Sequence, residues 1–248
     1  MQNQTKTKIC LTGLTACGKT TLLQRLSRHY KCPYVSFSTF LIKEYAATKP
    51  NLISKHKKSD HYWRHAKSLN DYRLKSQTIE KQIDKKFYDF IESKDKIVFD
   101  SFSYPYFAER NPTRSFCVFI RAKQNIRVRR AFRSSQSLKG DILIKYIKEK
   151  DRITSEVLKK CWNFNIFQSS YMRLFDLIID DGELEKKKVD FKRRMDVKSE
   201  IVTSFADLWL CRKSGKISKE KALLKECLCV TKKYYPVIIK KHPRLYQK

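Results

Sequence analysis

The segment that most constrains this chain is Gly13-Leu-Thr-Ala-Cys-Gly18-Lys19-Thr20, which fits the pattern GxxxxGK[ST]. A short apolar run at residues 8–12 precedes it, and residues 19–30 follow with leucines at helical spacing. In a strand, turn and helix of this kind, glycines let backbone N–H groups approach phosphate oxygens at a helix N-terminus. The segment therefore predicts a phosphate-binding loop rather than an ordinary strand-to-helix turn.

This loop assigns candidate residues to ATP and to magnesium. We expect Lys19 to bring a movable cation to the phosphates and Thr20 to offer its hydroxyl to Mg²⁺. Asp100 ends the apolar run Lys96-Ile-Val-Phe and is the candidate carboxylate on the magnesium side, with the capping of a turn as the alternative. The nucleotide-binding candidates are Gly13, Leu14, Thr15, Ala16, Cys17, Gly18, Lys19, Thr20 and Thr21.

Strand-like and helical patterns alternate along the first three quarters of the chain. The further strand-like runs are at 34–37, 96–100, 116–121 and 175–180, and the helical patterns are at 39–47, 60–93, 124–135 and 140–162. This alternation predicts an α/β fold with a parallel sheet covered by helices on both faces.

After residue 183 the pattern changes to a charged connector and two helices, at 196–213 and 218–234. We interpret this part as a C-terminal helical extension whose apolar stripes are packing surfaces rather than a membrane-binding face. The stripe residues are Ile201, Phe205, Leu208, Trp209, Leu223, Leu224, Leu228 and Val230.

The chain is strongly basic, with 55 Lys and Arg against 25 Asp and Glu and a net charge of +30. Such a charge predicts either a polyanionic partner, such as nucleic acid or ribosomal RNA, or simply a lysine-rich solvated surface. The eight cysteines lack Cys-x-x-Cys spacing, so we expect reduced thiols, and His61 and His65 are expected to be surface residues. We expect a cytoplasmic protein without signal peptide or membrane span.

Beyond the loop, residues 8–182 resemble the nucleoside monophosphate kinases of the cytidylate kinase type, in particular an archaeal-like branch with a short lid. The similarity lies in Val35-Ser36-Phe-Ser38-Thr39-Phe40, in Val98-Phe-Asp100-Ser101 before Pro105, in the Arg-rich stretch Ile120–Arg130, and in Asp151-Arg152-Ile-Thr-Ser155-Glu156. The resemblance implies a P-loop kinase domain over 1–182 with a five-stranded parallel sheet, an acceptor-binding insertion at about 38–93 and a lid at about 133–141. Residues 183–248 then form a basic helical extension.

The same resemblance implies roles for individual residues. Planar guanidinium groups clamp phosphate oxygens well, and Arg152 is expected to bridge donor and acceptor phosphates. The other arginines with an implied catalytic role are Arg127, Arg130 and Arg133. Acceptor binding is implied for Ser36, Ser38, Lys43, Asp100 and Asp151. Lys43 and Lys159 stand where the family usually has arginines, and lysine keeps the charge but loses the bidentate geometry.

These patterns predict ATP- and Mg²⁺-dependent transfer to a nucleoside monophosphate, with CMP or dCMP as acceptor. Two alternatives remain open: an ATP-dependent factor that binds RNA or ribosomes, and a kinase of polynucleotide 5′-hydroxyl ends. The absence of an Asn-Lys-x-Asp motif from the sequence weighs against a GTPase.

Overall fold

The computed structural model describes residues 6–48, 71–109, 111, 114–134, 140–186, 190–215, 217–234 and 237–241. Two predictions concern residues outside this part of the chain. They are the surface positions of His61 and His65, and most of the expected lid at 133–141. The expected insertion at 38–93 is described only at 38–48 and 71–93.

The described residues form one six-stranded sheet with the strand order β2-β3-β1-β4-β5-β6. Its strands are β1 (Thr7–Thr12), β2 (Tyr34–Ser36), β3 (Lys96–Asp100), β4 (Phe116–Arg121), β5 (Leu177–Asp180) and β6 (Ile238–Lys241). The first five pair in parallel, as the sequence predicted. Leu11 of the central strand lies opposite Asp100 of β3, which brings the start of the glycine-rich loop and Asp100 to the same edge of the sheet.

Helices cover both faces of this sheet. Among the described residues they are α1 (Lys19–Tyr30), α2 (Phe37–Thr48), α3 (Gln77–Glu92), α4 (Tyr104–Ala108), α5 (Gln124–Ser134), α6 (Gly140–Trp162), α7 (Ser169–Met172), α8 (Asp181–Lys186), α9 (Phe191–Lys213) and α10 (Ile217–Lys233). Residues 71–75 are also helical. The expected helix at 60–93 is interrupted near residue 76, and the expected strand at 34–37 gives way to α2 at Phe37.

The alternation of side chains in β1 explains why the sheet is covered on both faces. Ile9 and Leu11 belong to a core cluster with α1 and α9, whereas Cys10 belongs to a second cluster with α3 and α4. All six residues of β1 are buried, as expected for a central parallel strand. The eight cysteines are free thiols, as the sequence predicted.

The C-terminal helices pack on the face of the sheet that also carries α1, the helix after the glycine-rich loop. Ile201, Phe205 and Leu208 of α9 are fully buried in the cluster that also contains leucines of α1. The prediction that these stripes are packing surfaces is thereby confirmed for α9, while Leu228 of α10 is 45% exposed. Residues 238–241 add β6 antiparallel to β5, a strand that the sequence analysis did not predict.

Candidate active site

Backbone conformation adapts the loop between β1 and α1 to phosphate binding. A side chain at Gly13 would place its Cβ only 2.5 Å from the carbonyl oxygen of Ile120 in β4, so the close approach of that strand requires glycine. Ala16 and Gly18 have positive φ angles of 63° and 94°. Strained non-glycine residues of this kind occur at ligand-binding loops, where the surroundings hold them in place.

Lys19 lies along this loop. Its Nζ donates hydrogen bonds to the carbonyl oxygens of Gly13, at 2.5 Å, and Leu14, at 3.3 Å. It also lies 5.7 Å from the ring centre of Phe102. The ammonium group is therefore held beside the loop that the sequence assigned to phosphates.

Arg127 holds the first half of the loop. Its Nη1 donates to the carbonyl oxygen of Thr15, at 3.0 Å, and pairs with Asp151 Oδ2, at 2.5 Å. Asp151 Oδ1 accepts a hydrogen bond from the backbone N–H of Thr15, at 3.0 Å. The buried Arg127–Asp151 pair thus binds both backbone polar groups of Thr15, its C=O and its N–H.

Arg130 holds the second half of the loop. Its Nη1 donates to the carbonyl oxygen of Cys17, at 3.0 Å, and its Nη2 pairs with Asp181. In a planar trans peptide the C=O of one residue and the N–H of the next point in opposite directions. Fixing the Cys17 carbonyl therefore fixes the direction of the Gly18 N–H, and the Thr15 carbonyl does the same for Ala16.

Asp100 joins the carboxyl end of β3 to the start of α2. It is buried, and its Oδ1 accepts a hydrogen bond of 2.6 Å from the backbone N–H of Phe37, the first residue of α2. A carboxylate at a helix N-terminus is favoured by the unpaired N–H groups and the helix dipole. Asp100 and Thr20 line the same cleft.

The cleft has a volume of about 390 Å³, and polar side chains outside the loop form one part of its wall. On that wall Arg73 and Glu80 form a buried two-pronged ion pair, with Arg73 Nε 2.8 Å and Nη2 3.0 Å from the carboxylate oxygens. The hydroxyl of Tyr45 donates to the same carboxylate at 2.6 Å. Other polar residues of the cleft are Ser36, Ser38, Thr39, Asp84, Ser101, Ser103 and Lys150.

Asp84 lies one turn after Glu80 on α3 and connects this wall to the aromatic packing behind it. Its two oxygens accept hydrogen bonds from Ser103 Oγ and Trp162 Nε1, each at 2.7 Å. Burial raises the pKa of Asp84 to about 7, although these two donors act in the opposite direction. Asp84 is therefore a carboxyl group that can carry a proton near neutral pH.

Lys150 of α6 lines the same cleft as the loop. Burial, together with the positive charges of Lys19 and Arg73, lowers its pKa to about 7, although Asp100 and Asp151 favour the charged form. A lysine with such a pKa at a phosphate site is able to change its charge when an anion binds.

The structure separates the residues that the sequence assigned to the site. Ser36, Ser38, Lys19, Thr20 and Asp100 meet in the cleft. Asp151, Arg127 and Arg130 instead bind backbone groups of the loop, as described above. Among the other loop residues, the side chain of Cys17 is buried, and Leu14 packs against the second core cluster, the one with α3 and α4. Thr21 is half-buried on α1.

Two other assigned residues lie outside the described lining of the cleft, and the side chain of a third lies outside the described part of the structure. Arg152 is exposed on the outer face of α6, where it pairs with Glu149 and Glu156, and it is not among the described residues that line the cleft. These two carboxylates raise the pKa of its guanidinium. Lys43 is exposed on α2, outside the described cleft lining, and Arg133 lies on α5 with its side chain outside the described part of the structure.

Sequence reasoning missed Arg73, Glu80, Asp84 and Lys150 as site residues. Glu80 and Asp84 carried a weak signal, because they are four residues apart on the helical face that also carries the buried Ile83 and Phe87. No sequence feature marked Lys150 as a site residue except its place next to Asp151. No sequence feature marked Arg73.

The loop, Asp100 and the parallel sheet define this protein as a P-loop nucleotide-binding protein. The family described as "AAA domain" matches residues 9–141, which is more than half of the chain. The chain therefore belongs to this AAA domain family.

Several solved structures are similar to this chain. An uncharacterized protein from Eubacterium ventriosum ATCC 27560 is 15% identical with a TM-score of 0.50, over 82% of this chain and 98% of that one. Shikimate kinase from Bacteroides thetaiotaomicron is 16% identical with a TM-score of 0.45, over 81% and 98%. Deoxyadenosine kinase from M. mycoides is 11% identical with a TM-score of 0.33, over 79% and 99%. At 15% identity, the likeness to the first of these structures is one of fold.

No curated protein matches the chain. In the part of the chain that the structure describes, no helix is long and apolar enough to cross a membrane.

Proposed function

We propose that this chain is an ATP- and magnesium-dependent kinase that transfers the terminal phosphoryl group of ATP to a nucleoside monophosphate, with CMP or dCMP as the first acceptor to test. One observation carries the proposal: the P-loop and polar side chains of α2, α3 and α6 line one cleft. Phosphoryl transfer depends on holding donor and acceptor in line and on neutralising phosphate charge, with little covalent work by the protein.

On the donor side, the loop supplies backbone N–H groups and a cation. The arginine clamps on Thr15 and Cys17 direct the N–H groups of Ala16 and Gly18 before any phosphate arrives. Lys19 then exchanges its hydrogen bonds to the loop carbonyls for the phosphate oxygens. This arrangement supports ATP as the donor.

The residues at the cleft also fit magnesium. Mg²⁺ prefers oxygen ligands and keeps several of its waters, so one hydroxyl, one nearby carboxylate and the phosphates of the nucleotide are sufficient. Thr20 and Asp100 supply these oxygens at the same cleft. When bound there, the metal neutralises phosphate charge.

On the acceptor side, the cleft offers both charge and hydrogen bonds. Lys150 brings a positive charge towards the position of the transferring group, and Ser36 and Ser38 provide hydroxyls at the start of α2. The buried carboxyl groups of Glu80 and Asp84, which are paired with protein donors, add to the polar lining of this side. This mixture suits a molecule with both a phosphate and a polar base, and it motivates the choice of CMP and dCMP.

The test is transfer of labelled phosphate from ATP to a panel of nucleoside monophosphates and to RNA and DNA with 5′-hydroxyl ends. We expect transfer to a pyrimidine monophosphate, its dependence on Mg²⁺, and its loss in Lys19→Ala. Lys221→Ala, which changes an exposed lysine of α10, is the matched control and is expected to retain activity.

Transfer to polynucleotide ends alone would reassign the acceptor. RNA-stimulated ATP hydrolysis without any transfer would favour an ATP-dependent RNA-binding factor. Full activity in Lys19→Ala would reject the assignment of the site itself.

A further inference from the structure

Lys198 of α9 is a buried charge in a part of the chain that the proposed kinase chemistry does not use. It is fully buried, and its Nζ donates a hydrogen bond of 2.8 Å to Asp181 Oδ2. Asp181, the first residue of α8, is also fully buried. Removing two charges from water costs several kcal/mol per ion, so a buried pair adds little stability over apolar residues of similar size. The position of the pair suggests another role.

Asp181 connects Lys198 to the nucleotide loop. The carboxylate oxygen that accepts from Lys198 also lies 2.5 Å from Arg130 Nη2, and Arg130 Nη1 holds the carbonyl oxygen of Cys17. The helix also touches the loop directly, because a Cβ built on Gly18 would lie 3.0 Å from Met195 Cε and 3.4 Å from Lys198 Nζ.

The hydrogen bonds around Asp181 leave room for a rearrangement. Within the described residues, Asp181 Oδ1, Arg130 Nε and Arg130 Nη2 are buried and have no hydrogen-bond partner, although Nη2 forms the ion pair with Asp181 Oδ2. A carboxylate and a guanidinium prefer a two-pronged pair. In the structure Lys198 instead pairs with Asp181 Oδ2, and Arg130 keeps its Nη1 on the Cys17 carbonyl.

We propose that Lys198 is a positioning residue of the nucleotide site, which acts through Asp181 and Arg130 to hold the Cys17 carbonyl and so to direct the Gly18 N–H towards phosphate. This inference rests on the proposed binding of ATP at the loop. Without Lys198, Arg130 turns to pair with both oxygens of Asp181 and releases Cys17. The C-terminal extension is then a working part of the nucleotide site.

The experiment measures the dissociation constant of MgATP by titration calorimetry and the melting temperature of the same full-length proteins. Lys198→Met keeps the length of the side chain without its charge, and we expect its dissociation constant for ATP to rise about tenfold, as for the loss of one charge-assisted hydrogen bond. Lys198→Arg, which keeps the charge, is expected to stay within about twofold of the wild type, since an Arg–carboxylate pair replaces the Lys–carboxylate pair.

Asp196→Asn is the matched control. Asp196 is also on α9 and pairs with Arg25 of α1, but it lies on the surface, with 56% of its side chain exposed. We expect this variant to bind ATP as the wild type does. If Lys198→Met does not fold, Lys198→Gln, whose side chain is one bond shorter and uncharged, is compared with Lys198→Arg in its place.

Unchanged ATP affinity in the folded Lys198→Met or Lys198→Gln protein would overturn the inference, and a lower melting temperature with unchanged affinity would assign Lys198 to stability alone. Lack of ATP binding by the wild type would instead reject the proposed function, so the two failures are distinguishable.

Discussion

Replacing Arg127 by methionine removes one member of a buried ion pair and leaves Asp151 without its partner. The side chains of Arg127 and Asp151 are only 7% and 8% exposed. Removing one partner of such a pair destabilises proteins by about 3–5 kcal/mol, because a charge stays buried without compensation. For a chain of this size each kcal/mol lowers the melting temperature by about 2–4 °C, so we expect a decrease of about 6–20 °C.

The same substitution also affects the nucleotide loop. Loss of the hydrogen bond to the Thr15 carbonyl frees the first half of the loop, so we expect weaker ATP binding in addition to the lower stability. Thermal unfolding with and without MgATP measures both effects. Arg129→Met, which changes an exposed residue of the same helix, is the control and is expected to shift the melting temperature by less than about 2 °C.

The result distinguishes two roles of Arg127. The family resemblance implies an arginine that contacts substrate phosphate, whereas the structure places its guanidinium on Thr15 and Asp151. A variant with near-native stability and a lower turnover number only would refute the structural reasoning and support a direct contact with the transferring phosphate.

Four further predictions follow from the geometry of the cleft and the core. Asp100→Asn should reduce Mg²⁺-dependent activity more than ATP binding without metal, and equal losses would indicate that its bond to Phe37 is its main role. Because Lys150 loses its proton as pH rises through about 7, affinity for phosphate ligands should fall between pH 6 and 8; Lys150→Met should flatten this dependence in titrations. Arg152→Ala should keep turnover within about threefold, since an exposed pair contributes little, and a large loss would support the bridging role that the resemblance implies. A chain that ends at residue 182 should be insoluble, because the core around α1 loses the buried face of α9; a soluble product that binds ATP but has lost salt-sensitive RNA affinity would make residues 183–248 a separate RNA-binding appendage.

The sequence by itself determined the features that depend on neighbouring residues. The spacing of Gly13, Gly18 and Lys19 specified the loop, because its backbone geometry, including the positive φ angle of Gly18, is local. Apolar runs such as Phe116–Arg121 specified buried strands, and their alternation with helices specified the parallel sheet.

Only the tertiary structure decided which charged side chains face the cleft. In α6, Lys150 lines the cleft, Asp151 binds the loop, and Arg152 points away from both. Successive side chains of a helix are about 100° apart around its axis, so the rotational position of α6 decides which of these three charged residues lines the cleft. Amino-acid composition does not reveal that rotational position.

Contacts between residues distant in the sequence were also decided by the tertiary structure. Lys198 reaches Asp181, and through Arg130 the loop at Cys17, only because α9 packs beside α1. The four-residue strand β6 likewise exists as a strand because β5 offers it an edge. A short segment of this kind has no stability of its own, and the backbone partner that stabilises it is set by the fold.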